Sequence, residues 1–195
     1  MKLGITGGIS SGKTTVCKVF GVLGIPVFYA DAEASNVMSA NPGIREGINK
    51  IAGVNVYPDG GLDRKMLAAL IFSNPEALRK VNSLVHPAVF EKFLEWTEEQ
   101  QAPYVIMEAA ILFESGADQL VDRVATVTAP VGERIARVTR RNTLTSDQVM
   151  DRINNQMDDN ERIKRSDYVI NNADNAMIIP VILKIHEDLI EHLYS

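Results

Sequence analysis

Residues 7–14 read Gly-Gly-Ile-Ser-Ser-Gly-Lys-Thr: a glycine, four residues, then Gly-Lys-Thr. Every position in that spacing has a task if the partner is a phosphate. The glycines let successive backbone N–H groups curl around an anion with no side chain in the way. Lys13 reaches the β- and γ-phosphates, and the Thr14 hydroxyl ligates Mg²⁺. A helix starting near Gly12 points its positive end at the same anion. Gly8, Ile9, Ser10, Ser11, Gly12, Lys13, Thr14 and Thr15 are therefore the expected set for a nucleotide's phosphates. A Gly-rich turn that only capped a strand would have no need of Lys13 and Thr14.

Binding a nucleotide does not name a reaction. Asp31 follows the apolar run Ile25-Pro-Val-Phe-Tyr and so stands at the carboxyl end of a strand, where ligands gather in open α/β sheets. A carboxylate there can accept a proton from a substrate hydroxyl and align it for attack on a γ-phosphate. It can equally cap the helix that follows. Glu33 competes for the catalytic role, but two residues on it points elsewhere. Glu108 ends the run Tyr104-Val-Ile-Met and is placed to support Mg²⁺ or its waters, to cap a helix, or to pair with Lys13. Arg134, Arg137 and Arg141 fall at i, i+3 and i+7 and share a helix face. With the polar stretch that follows, they fit a solvated hairpin or a lid carrying guanidinium forks to phosphates; the phosphate loop favours the lid. His86, before Pro87, has the ordinary structural reading of a lone histidine. His186 and His192 lack metal-ligand spacing and read as surface or rim residues.

The elements that must position these groups are legible as periodicity. Five short apolar runs, at residues 2–6, 25–29, 104–107, 123–128 and 167–170, alternate with helical patterns. That is the signature of a parallel sheet flanked by helices. Between the second and third runs no strand is evident. Breakers at Asn41-Pro42-Gly43, Pro58-Asp59-Gly60-Gly61 and Asn74-Pro75 divide the stretch into helices. The expected architecture is one α/β domain over 1–195, with core segments 1–30, 103–139 and 166–195. A helical insertion spans 31–102 and a helical lid spans 140–165. Ile178, Ile182, Ile185, Leu189 and Leu193 mark a last packing helix.

Composition narrows the partners. The chain has 195 residues, a net charge of −5 and a hydrophobic fraction of 46%. It is long enough for one sizeable core, and its acidity argues against nucleic acid or an anionic membrane as main partner. The single cysteine, Cys17, forms no internal disulfide, reads as a packing residue, and suits a reducing cytoplasm. No stretch approaches the length of a membrane span or a signal-peptide apolar region.

Over nearly its whole length the sequence resembles the dephospho-CoA kinase family. The loop is preceded by Thr6-Gly7-Gly8-Ile9, and Leu23-Gly24-Ile25-Pro26-Val27 leads to Ala30-Asp31. More specific are Asp59-Gly60-Gly61-Leu62-Asp63-Arg64 and the segment with Asn82, Leu84 and His86-Pro87. Ile111-Leu112-Phe113-Glu114, Arg137, Arg141, Gln156 and Val169-Ile170-Asn171-Asn172 complete the match. The resemblance implies a P-loop NTPase fold: a five-stranded parallel sheet flanked by helices, a helical substrate-binding insertion and a helical lid. It implies transfer of the ATP γ-phosphate to the 3′-hydroxyl of the dephospho-CoA ribose, with Mg²⁺ and no tightly bound organic cofactor. Asp31 matches the family's base. Lys13 and Arg141 complete the catalytic set. Residues 8–15, with Arg137 and Asn172, fall to ATP, and Thr6, Arg64, His86 and Glu108, with Asp31, fall to the acceptor. A cytoplasmic monomer or weak oligomer is expected. The chain departs from the pattern at Tyr29, where the family often has Asp, and at Glu108-Ala-Ala110, where it commonly has Asp-x-Pro. Asn142 stands for the lid aspartate, and no glycine follows Asn172. A nucleoside-monophosphate kinase and a nucleotide-dependent switch are the competing readings. The Leu-Asp-Arg and His-Pro segments count against the first. The missing Asn-Lys-x-Asp segment and the carboxylate at Asp31 count against the second.

Overall fold

The computed structural model describes residues 1–72, 74–141 and 145–193, without the side chains of Phe72 and Arg141. Two compact units emerge, one of residues 1–29 and 99–195, the other Ala30–Glu98.

The first unit is built on five strands: β1 Lys2–Thr6, β2 Val27–Tyr29, β3 Val105–Glu108, β4 Arg123–Thr128 and β5 Tyr168–Asn171. They lie in the order β2-β3-β1-β4-β5, and every pairing is parallel. The short apolar runs of the sequence hold these strands; the central ones, β1 and β3, are buried as parallel strands are, while the edge strands leave Tyr29 and Val169 exposed. Along β1 the side chains alternate as a strand requires. Leu3 and Ile5 enter the main core, while Gly4 faces Leu112 so closely that a Cβ would sit 2.8 Å from its Cδ2. Register aligns Ile5 with Glu108 and Thr6 with Thr126, so the carboxyl ends of β1 and β3 share one edge.

Two helices cover one face of the sheet. α1 (Lys13–Val22) contributes Val16, Cys17 and Phe20, and α9 (Ile178–Glu191) contributes Ile182, Ile185 and Leu189. Phe20 meets Tyr104 edge to face at 6.5 Å; full burial of such a side chain contributes roughly 1.5–3 kcal/mol. Cys17 is a core residue, and burial pushes its thiol far above the usual range. His186 is half-buried, and its Nδ1 lies 2.8 Å from the Tyr104 hydroxyl. Among the described residues this unit also holds a 3-10 turn at Ala117–Leu120 and the helices α6 (Val131–Arg141), α7 (Ser146–Asn154) and α8 (Asp159–Lys164).

The second unit is built of helices, α2 (Ala30–Ala40), α3 (Pro42–Ala52), α4 (Arg64–Phe72) and α5 (Pro75–Glu98), with a loop over residues 53–63. Two of the breakers read from sequence, at Asn41 and Asn74, are helix starts, and the third, Pro58-Asp59-Gly60-Gly61, lies in the loop before α4. Asn41 caps α3 through Ile44 N, Asp63 caps α4 through Lys65 N and Met66 N, and Asn74 caps α5 through Glu76 N and Ala77 N. α5 is the spine against which α2, α3 and α4 pack. Its stripe Ala77, Val81, Val85, Val89, Phe93 repeats every fourth residue and is buried. The helix runs through Pro87 without ending there. Among the described residues no helix is long and apolar enough to cross a membrane.

Candidate active site

Gly12 is the N-cap of α1, in the left-handed region at φ 99°, and no side chain caps the helix. The first turn also carries no acid. Its orphan N–H groups and the positive end of its dipole are thus left to an anion. Ser10 also has positive φ, 57°, which helps the loop reverse direction in few residues.

The carbonyls of residues 7–11 are all engaged, three of them by side chains from outside the loop. Gly7 O accepts from Lys13 Nζ at 2.9 Å, Gly8 O from Ser11 N at 3.1 Å, and Ile9 O from Arg134 Nε at 2.9 Å. Ser10 O lies 3.5 Å from Arg137 Nη1, and Ser11 O accepts from Asn172 Nδ2 at 2.8 Å. In a trans peptide N–H and C=O point in opposite directions. Holding the Ile9 and Ser11 carbonyls from outside therefore turns the Ser10 and Gly12 N–H groups toward the concave side, as an anion cradle requires, while Ile9 N donates to Gln156 Oε1 and Ser11 N to Gly8 O. Two glycines are demanded by these braces. A Cβ on Gly12 would lie 1.9 Å from Asn172 Nδ2, and one on Gly8 would lie 2.1 Å from Arg134 Nη2.

Lys13 and Glu108 are both buried, and both charges act on Cys17 at the foot of α1. Thr6, at the end of β1, has no exposure, and its hydroxyl has no hydrogen-bond partner among the described residues; the Ser11 hydroxyl is in the same state. Thr14 and Thr15 are exposed in the first turn of α1. Arg137 braces the far side of the loop: its Nη2 donates to Asn172 O at 2.8 Å and Asp174 Oδ1 at 2.5 Å. That pairing holds the Asp174 carboxyl below its ordinary range. The structure thus brings Thr6, residues 8–15, Glu108, Arg137 and Asn172 into one neighbourhood. Arg141 is the last residue of α6, and its side chain lies outside the described residues.

Asp31, Arg64 and His86 belong to the helical unit. α2 begins at Ala30, so Asp31 stands inside the first turn rather than at the cap, and its side chain is exposed. Glu33, its competitor, accepts from Asn36 Nδ2 at 3.1 Å. Arg64 is exposed at the start of α4. His86 stacks on Phe90 at 6.0 Å, and burial lowers its pKa, favouring the neutral ring.

Four residues around the loop were not legible as a group: Arg134, Gln156, Asp159 and Arg162. Arg134 and Arg162 are fully buried, contrary to a solvated arginine face, and Asp159 bridges them at 2.6 Å to each. The i, i+3 spacing of Asp159 and Arg162 was a local clue to one half of this bridge. Nothing local points to Arg134 as the other half.

Comparison with known proteins gives a consistent answer. A family model described as "CoaE: Dephospho-CoA kinase" matches residues 1–177. The chain is 38% identical over 196 residues to a dephospho-CoA kinase of Bacteroides fragilis, covering 100% of this chain and 94% of that one. It superposes on the crystal structure of TT1252 from Thermus thermophilus with a TM-score of 0.84 at 32% identity, covering 99% and 97% of the two chains. A dephospho-CoA kinase from Campylobacter jejuni gives 0.70 at 25% identity, covering 98% and 99%.

Proposed function

The chain belongs to the dephospho-CoA kinase family, and from that premise we propose how its residues divide the work of moving a phosphoryl group. The reaction is the ATP-dependent phosphorylation of dephospho-CoA at the ribose 3′-hydroxyl, giving CoA and ADP as the last step of coenzyme A synthesis. Phosphoryl transfer asks the protein mainly for positioning and charge stabilisation. Residues 8–15 hold the ATP phosphates. Lys13, once it exchanges the Gly7 carbonyl for a phosphate oxygen, neutralises charge on the transferred group. Arg137 and Asn172 keep the loop in shape at the nucleotide, and Arg141 is assigned to the γ-phosphate from the lid, residues 140–165.

Mg²⁺ fits these residues as a companion of ATP. Among the described residues no group of three His, Cys, Asp or Glu is placed to hold a metal ion. The exposed Thr14 hydroxyl is a hard oxygen ligand suited to an ion that keeps its waters and phosphate oxygens. When bound, the ion spreads the negative charge of the triphosphate.

Asp31 is assigned as the base that takes the proton of the acceptor hydroxyl. Thr6, Arg64, His86 and Glu108 are assigned, with Asp31, to the acceptor. The protein is proposed to act in the cytoplasm as a monomer or weak oligomer. The observation that supports the reading best is the glycine loop, its Ile9 and Ser11 carbonyls drawn outward by Arg134 and Asn172, beneath an uncapped helix and beside Lys13. Incubation with γ-labelled ATP and dephospho-CoA tests it. The label is expected on the 3′-oxygen of the acceptor; label released only as inorganic phosphate would overturn the reading.

A further inference from the structure

The peptides on either side of Ile9 are held by residues far away in sequence. Ile9 N donates to Gln156 Oε1 at 2.8 Å, and Ile9 O accepts from Arg134 Nε at 2.9 Å. The Arg134 guanidinium also lies directly on Gly8, where a Cβ would stand 2.6 Å from its Cζ. One side chain thus fixes both the position of Gly8 and the orientation of the next carbonyl. Arg134 is 2% exposed, and a guanidinium so far from water keeps its place only if a carboxylate compensates it. The carboxylate is Asp159: its Oδ2 accepts from Arg134 Nη1 at 2.6 Å and its Oδ1 from Arg162 Nη1 at 2.6 Å. Arg162 has no exposure, and its Nη2 lies 3.8 Å from Glu114, which also accepts from Met157 N at 3.1 Å. Asp159 opens α8, where a negative charge suits the helix dipole. Nothing in the phosphoryl transfer requires it.

We propose that Asp159 is a positioning residue for the phosphate cradle. By holding Arg134 over Gly8 and Ile9 it sets the N–H array that receives the triphosphate. With Gln156 three residues earlier, it makes the shape of the loop depend on residues 156–159. The proposal rests on the reading of residues 8–15 as the ATP site. A carboxylate that merely tied α8 to α6 would affect stability and leave nucleotide affinity alone.

The test is calorimetric titration of ATP into the full-length protein, beside steady-state kinetics with dephospho-CoA. Wild-type binding and turnover check the underlying reading separately; if wild type fails to bind ATP, that reading fails first. Asp159→Asn is expected to raise the Kd and the KM for ATP at least fivefold and to leave the KM for dephospho-CoA within twofold. Asp159→Glu, which keeps the charge, is expected to recover most of the loss and serves as the folded control. Because Asp159 acts through Arg134, adding Asp159→Asn to Arg134→Met should change ATP affinity less than twofold further. If Arg134→Met does not fold, Gln156→Leu replaces it, with the same expectation of less than additive loss on the shared Ile9 peptide. An Asp159→Asn protein with unchanged ATP affinity and a lowered melting temperature would overturn the proposal, as would fully additive losses in the double variant.

Discussion

Lys13 donates to the Gly7 carbonyl, which keeps a buried ammonium satisfied until a phosphate oxygen takes the place of that carbonyl. Lys13→Ala is expected to lower kcat by about 10²–10³, the usual cost of removing one group that stabilises developing charge. Circular dichroism should show an unchanged fold. Asp31 makes a different prediction, because it is exposed and in another unit from the loop. Asp31→Asn should lower kcat by about 10²–10⁴, the range for a lost general base, with the Kd for ATP near wild type. A variant that kept most of its kcat would remove Asp31 from the chemistry. At this scale the sequence was informative wherever the acting residues are contiguous. Lys13, Thr14 and the glycines announce themselves by spacing, because consecutive backbone groups do the work. Arg134 did not, although it was seen on the same face as Arg137. Helical periodicity says which way a side chain points, not which carboxylate awaits it 25 residues away.

The loop and α1 act as one element, and Gly12 is where they join. An L-residue forced into the left-handed region costs roughly 1–2 kcal/mol, and here its Cβ would also overlap Asn172 Nδ2. Gly12→Ala should weaken ATP binding about tenfold or more, measured by titration; near-normal affinity would mean that the loop reshapes freely. α5 carries a pH-dependent contribution. Burial depresses the pKa of His86, so the unfolded chain binds its proton more readily than the folded one. That stability is present in full above the unfolded value of about 6.5 and is lost as pH falls through the lower folded value. Urea midpoints between pH 8 and pH 5 should fall for wild type, and fall less for His86→Gln. The helix starts at Asn41 and Asn74 were readable because capping is local chemistry, whereas the Asp63 cap lies just past the Pro58–Gly61 breaker. Packing of the stripe from Val85 to Val89 carries α5 through Pro87.

On the scale of the whole chain, two compact units separate where β2 gives way to α2 and where α5 ends. The sheet was foreseeable because five apolar runs of strand length have few other ways to be buried. Its order was not, since pairing β3 between β1 and β2 depends on packing distant in sequence. The lid remains a proposal about motion, and it has a direct readout. ATP should slow proteolytic nicking between residues 143 and 160 if the segment closes on nucleotide; equal nicking with and without ATP would contradict closure. The account as a whole stands on the identity of the acceptor. The decisive measurement is kcat/KM for dephospho-CoA against that for nucleoside monophosphates, with ATP and Mg²⁺, read by ADP release and by mass of the product. The account predicts efficient conversion of dephospho-CoA to CoA, one ADP per CoA, and little turnover of the monophosphates. Good turnover of a nucleoside monophosphate with none of dephospho-CoA would contradict it.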